Sequence, residues 1–116
     1  MLKTLLGQSA EKRAERYLAS HGLMLVARNW HCRFGEIDLI MQDGLTTVFI
    51  EVRLRSRNDF GGAAASVTPA KQKKLLAAAR QYLATLRTLP PCRFDVVALT
   101  GEAAPDWIKN AFDDMG

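Results

Sequence analysis

Two stretches of alternating side chains, Phe34–Met41 and Thr47–Arg55, stand on either side of an Asp43-Gly44 pair. A period of two over such a length specifies strands with two chemically different faces, and Asp-Gly between two such runs is a strong hairpin signal. In the first run Ile37, Leu39 and Met41 alternate with Glu36, Asp38 and Ile40. In the second, Val48, Ile50, Val52 and Leu54 alternate with Phe49, Glu51, Arg53 and Arg55. Each strand therefore has one apolar face and one face that carries charge.

The remaining elements group around this hairpin. A helix is expected over much of Lys3 to His21, with Leu6, Ala10, Ala14, Tyr17 and Leu18 on one stripe and Gly22 placed to end it. Glu11 falls on the flank of that stripe and Glu15 further round toward solvent. Leu23 to Asn29 reads as a short strand. Thr68-Pro69 is a helix start, a capping threonine followed by proline at the first helical position. That helix should run to about Leu86 and bury Leu75, Ala78, Ala79, Tyr82, Leu83 and Leu86. Pro90-Pro91 breaks the chain before a fourth strand, Arg93 to Leu99, and Asp106 to Phe112 fits either a short strand or a turn of helix. The order αβββαβ specifies an α/β fold, a mixed sheet flanked by helices, and 116 residues without repeat or linker make residues 1–116 a single domain.

Composition excludes several classes of function. Cys32 and Cys92 are too few and too far apart for a disulfide framework or a zinc site. No apolar stretch is long enough for a membrane span, and the first residues do not read as a secretory signal peptide, so a cytoplasmic protein is expected. The net charge of +4 is unevenly spread: fifteen of the sixteen basic residues lie at or before Arg93, whereas five of the twelve acidic ones follow from Asp95 on. Ten of the basic residues are arginines. Such a surface suits nucleic acid or another polyanion, although a solvated surface on an ordinary basic protein accounts for charge alone equally well.

Pairing across the turn decides which charges meet. If Gln42 pairs with Leu45, Asp38 faces Phe49 and Glu36 faces Glu51; a shift of two sets Asp38 opposite Glu51. Both registers put Glu36, Asp38, Glu51 and Arg53 on one face, with Phe34, Ile40 and Phe49 beside them. Two carboxylates so close repel, and either a divalent cation (Mg²⁺ or Mn²⁺ suits oxygen ligands) or Arg53 can compensate. Charged residues on an outer hairpin face are also commonplace solubilising features.

An Asp, an intervening stretch and then Glu-x-Lys on a strand is the pattern of the PD-(D/E)xK nuclease superfamily, and here Gly35-Glu36-Ile37-Asp38-Leu39-Ile40 is followed by Glu51-Val52-Arg53. With Gly7, Glu11, Ala14 and Leu18, then Arg28-Asn29, Phe60-Gly61, Lys71, Arg93-Phe94-Asp95-Val96-Val97 and Asn110-Ala111-Phe112, the chain resembles the YraN family of small bacterial proteins along nearly its whole length. That family is regarded as predicted endonucleases distantly related to archaeal Holliday junction resolvases. The resemblance implies a restriction-endonuclease-like core and metal-dependent hydrolysis of phosphodiesters in structured DNA. Asp38 and Glu51 would be metal ligands, with the Val52 carbonyl a third donor, Glu11 completing the acidic site and Glu36 in a lesser, supporting position. It also implies a homodimer, since related resolvases are dimers.

Arg53 departs from the superfamily pattern, which has lysine there. Arginine stays protonated and cannot act as a general base, although its charge can stabilise a transition state. Lys71 is a candidate for the missing ammonium, against the plainer role of a surface lysine or phosphate contact. Arg53, Arg55 and Arg57 form a phosphate-binding stripe, extended by Lys71 and Lys74, unless they merely keep an edge strand soluble. Trp30 and Trp107 are expected in the core or at its rim, and His21 against the carbonyls that end its helix. A cleaving enzyme, a nucleic-acid-binding module with a degenerate site and a structural adaptor therefore compete.

Overall fold

The computed structural model describes residues 5–56, 62 and 66–112. The first helix, α1 (Leu5–Ser20), buries Ala10, Ala14 and Leu18 along one line of its surface, and the two alanines let its backbone approach the sheet closely. Gly22, in left-handed conformation (φ 93°), ends it: Leu23 N–H donates to Leu18 O at 3.1 Å and Gly22 N–H to Ala19 O at 3.0 Å, the paired bonds of a Schellman cap. Leu6, expected on the buried stripe, has its side chain outside the described set.

Three antiparallel strands follow: β1 (Met24–Cys32), β2 (Gly35–Asp43) and β3 (Thr46–Leu54). The second helix, α2 (Pro69–Leu83), then returns the chain to β4 (Cys92–Leu99), which lies parallel to β3. Thr68 caps α2, its hydroxyl oxygen accepting from the Lys71 N–H at 3.2 Å, and Leu75, Ala78 and Ala79 form its buried face. Tyr82, Leu83 and Leu86 are only half-buried, and the helix stops three residues short of Leu86.

The last strand, β5 (Asp106–Phe112), pairs antiparallel with β4, so the element order is αβββαββ and the sheet order β1-β2-β3-β4-β5. The order αβββαβ expected from sequence is thereby corrected. What makes the tail a strand is a single buried acid. Asp95 accepts from the Asn110 N–H at 2.9 Å, from Trp107 Nε1 at 2.9 Å and from Arg93 Nε at 3.0 Å, across a register shift between Phe94 and Val96.

The β2–β3 register is Leu39↔Ile50, Ile40↔Phe49 and Asp43↔Thr46, so the two-residue loop is Gly44-Leu45 rather than Asp43-Gly44. Positive φ at Gly44 (60°) but not at Leu45 is the pattern of a type II′ turn, which needs glycine first. Of the two registers weighed from sequence, the structure adopts the shifted one. Alternation also breaks, at a register shift between Leu25 and Ala27 and again at Asn29. Arg28 reaches Glu15 on α1, yet Trp30, two residues on, packs with the α2-side core, and the same switch separates Leu39 from Ile37 on β2. Between them Asn29 takes φ 49°, a left-handed conformation that asparagine tolerates. The sheet thus has two cores: Leu39, Met41, Val48, Ile50, Val97 and Leu99 under α1, and Ile37, Ile40, Phe49, Phe94, Val96 and Ala98 under α2.

Candidate metal and phosphate site

The shifted register, continued from Leu39↔Ile50, sets Asp38 opposite Glu51. Both are buried, at 5% and 4% exposure, which is rare for carboxylates that lack compensation. One Asp38 oxygen, Oδ2, accepts from the Val52 N–H at 2.8 Å, so β3's backbone fixes that side chain. Glu51 Oε2 receives two cations: Arg53 Nη1 at 3.5 Å from its own strand and Lys71 Nζ at 3.6 Å from the first turn of α2. Glu51 Oε1 is buried with no hydrogen-bond partner among the described residues.

These surroundings act on the Glu51 carboxyl in opposite directions. Burial, first, and then the negative charge of Asp38 push its pKa up; Lys71 and Arg53 pull it down, and the balance leaves it at about 7. A carboxyl so placed has a spare oxygen and a strong electrostatic reason to gain positive charge. The donor set, two carboxylates of which one has an unbonded oxygen, fits a hard divalent cation such as Mg²⁺ or Mn²⁺. Among the described residues no three His, Cys, Asp or Glu side chains are gathered closely enough to hold a metal on their own.

Glu11 is buried on α1, where it lines a cleft of about 170 Å³ with Gln8, Lys12, Glu15, Asn29 and Leu39. Asn29 is the residue that sequence reasoning did not place at the site. The ladder (Arg28↔Leu39, Trp30↔Ile37) sets it opposite Asp38, and its Oδ1 is a second buried oxygen with no partner among the described residues. The signal was present in the Arg28-Asn29 pair, since asparagine is one of the few residues that suits a left-handed break in a strand.

A model of the uncharacterised protein family UPF0102 matches residues 10–99, from within α1 to the end of β4, and so includes Asp38 and Glu51. The chain belongs to this family. It is 56% identical to a UPF0102 protein of Nitrosospira multiformis over 115 residues, covering 97% of each chain. It is 59% identical to one from Cupriavidus necator, over 94% of this chain and 83% of that one, and 56% identical to one from Nitrosomonas eutropha, over 93% of each. The YraN resemblance read from the motifs is thus membership of UPF0102.

Within this UPF0102 chain the other expected residues separate by environment. Glu36 pairs with His31 (2.9 Å, His31 Nε2) at the foot of the β1–β2 turn. Lys74 is exposed one turn along α2 from Lys71, and Arg55 is half-buried just past β3, its N–H bonded to Leu99 O at 2.9 Å. Arg57 and Phe60-Gly61 lie outside the described residues. Trp30 meets Tyr82 edge-on at 5.6 Å and Trp107 bonds Asp95, both at the rim of the cores as expected. His21 Nδ1 sits 2.8 Å from Tyr17 O, at the helix-ending carbonyls where it was expected. No helix of the described residues is long and apolar enough to cross a membrane.

Proposed function

We propose that this UPF0102 chain has a restriction-endonuclease-like core and is a divalent-cation-dependent endonuclease that hydrolyses phosphodiester bonds in structured DNA. One observation carries the reading: the buried Asp38–Glu51 pair, with Glu51 Oε1 unbonded and the cations of Lys71 and Arg53 converging on Oε2. A cation held by Asp38 and Glu51 would supply a Lewis acid for a phosphate oxygen and acidify a water molecule. The protein's own groups do the rest. The Val52 N–H holds Asp38 in place, and Arg53 offers fixed positive charge to the phosphate oxygens where charge develops. Lys71 brings the ammonium that the strand lacks. Its charge can orient a water or a phosphate oxygen beside Glu51.

A second reading rests on Arg53: a module that binds nucleic acid without cleaving it. The two diverge in experiment. Calorimetric titration should detect Mn²⁺ binding by wild type and lose most of it in Asp38→Asn and in Glu51→Gln. Equal binding by all three proteins would dismiss the shared cation. In cleavage assays on branched, single-stranded and duplex DNA with Mg²⁺ or Mn²⁺, Lys71→Ala should lower the rate at saturating DNA roughly 10²-fold or more, beyond any loss of affinity, while Arg53→Lys retains cleavage. Absence of cleavage on every substrate, with Mn²⁺ bound, would leave the binding module as the surviving function.

A further inference from the structure

A cavity lies beside the carboxylate pair rather than on it. It measures about 490 Å³, within the range of small-ligand pockets, and sits between the β1–β2 turn and the first turns of α2. Its apolar walls are Phe34 and Leu75; its polar groups include His31, Glu36, Lys71 and Lys74. Lys71 belongs to both places, lining this cavity and standing 3.6 Å from Glu51 Oε2. Whatever fills the cavity therefore adjoins the candidate phosphate site.

Phe34 is out of place for a core residue. It is 39% exposed at the tip of a two-residue turn, closed by the Cys32↔Gly35 pair, and the Arg33 guanidinium lies 4.8 Å from its ring centroid. The exposed ring offers a flat apolar surface on which something flat can stack. The turn lies against α2, a Cβ at Gly35 being within ordinary contact of Lys74 O at 3.5 Å, and Gly35 has a φ of 154° that side chains rarely adopt. Glu36 is engaged by His31 at 2.9 Å, and Arg33, Lys71 and Lys74 outnumber it among the charged side chains of the cavity. A flat hydrophobic group with an anion attached is what such walls accept, and single strands are held in this way, by base stacking on aromatics beside a basic groove.

From this we infer that the cavity takes one unpaired nucleotide, its base against Phe34 and its phosphate between Lys71 and Lys74, next to the phosphate at the carboxylate pair. The inference rests on the proposed phosphodiester site and gives that site a substrate class: strands with unpaired nucleotides, in preference to continuous duplex, whose bases are occupied by stacking and pairing.

The test uses the full chain in EDTA, so that binding is read without cleavage. Fluorescence anisotropy compares a labelled single strand with its duplex, and a 2-aminopurine in the single strand reports stacking. Phe34→Ala should weaken single-strand binding about 5- to 100-fold and abolish the 2-aminopurine quench, while duplex affinity changes less than about twofold. Phe34→Trp should retain both. Phe34 is exposed, so a thermal melt confirms that the variants fold. An oligoribonucleotide of the same sequence, run in parallel, assigns the strand to DNA or RNA by the 2′-hydroxyl. Unchanged single-strand binding in Phe34→Ala, or equal losses for single strand and duplex, would overturn the inference. Either result alongside intact wild-type cleavage would leave the nuclease reading standing. Phe34-dependent single-strand binding by a protein that never cleaves would sustain the pocket and end the nuclease reading.

Discussion

At the scale of single residues, Glu51 couples site to stability. Its carboxyl is shifted from an ordinary 4.5 to about 7 in the folded protein, chiefly because it is buried and faces Asp38. A carboxyl whose folded pKa is raised keeps its proton longer when folded than when unfolded. Its contribution to stability is complete below about pH 4.5 and is lost as pH rises through 7. The loss is about 3 kcal/mol by pH 8, which is of the order of 10 °C in melting temperature for a domain this size. Melts in EDTA should therefore show falling stability between pH 5 and 8 in wild type and a much flatter profile in Glu51→Gln. Added Mn²⁺ should restore the wild type at pH 8 and leave Glu51→Gln nearly unchanged. Parallel profiles for the two metal-free proteins would contradict a strained Glu51. Asp38 and Glu51 were named from the alternation of the hairpin and the Asp…Glu-x-basic pattern, and Lys71 from the lysine that pattern lacks at Arg53. Asn29 offered only the weak local signal of an asparagine within a strand, because its importance comes from a φ of 49° that breaks the period.

At the scale of elements, local chemistry was legible where one residue type dictates the geometry. The Thr68-Pro69 start of α2 and the Gly22 end of α1 are of this kind, and both strands of the central hairpin follow their alternation. The register was left open because a two-residue loop can begin at Asp43 or at Gly44. Nothing in the local sequence ranks a type II′ turn at Gly44-Leu45, with Leu45 85% exposed, above an Asp-Gly turn, and a shift of two leaves the same side chains on each face, so alternation does not rank them either. β5 was ambiguous for a different reason, since its polar Lys109-Asn110 carries little strand propensity and its pairing depends on Asp95, more than ten residues earlier. The dependence can be measured. Asp95→Ala removes the acceptor for Asn110, Trp107 and Arg93, and leaves the Arg93 guanidinium with Asp43 at 3.0 Å. Breaking a buried pair in this way costs about 3–5 kcal/mol, visible as a lower urea midpoint. Amide exchange at Asn110 should accelerate more than exchange in β2. A stability loss below about 1 kcal/mol would mean that β5 is held by its apolar contacts alone.

At the scale of the whole molecule, charge cannot be read from a residue count, because much of it is spent internally. Arg28 is bonded to Glu15 at 2.7 Å, Arg93 is tied to Asp43 and Asp95, and Arg13 donates to the carbonyls of Gly101 (2.8 Å) and Ala103 (3.3 Å). On the α2 side Arg33, Arg53, Lys71 and Lys74 surround the cavity and the carboxylate pair, with Arg53 and Lys71 also facing Glu51, while Lys12 and Arg16 are exposed on α1. Salt dependence distinguishes a polyanion held at the α2 face from one drawn by net charge. Each phosphate contact on a single strand adds roughly 0.7 to the slope of log K against log salt. Lys74→Ala and Arg33→Ala should each lower the single-strand slope by nearly that amount, and the double variant by about twice as much. Arg13→Ala and Arg28→Ala remove the same formal charge from residues already bonded to the protein, and their slopes should match wild type. Four equal reductions would mean that the protein attracts nucleic acid by net charge alone, with no face preferred.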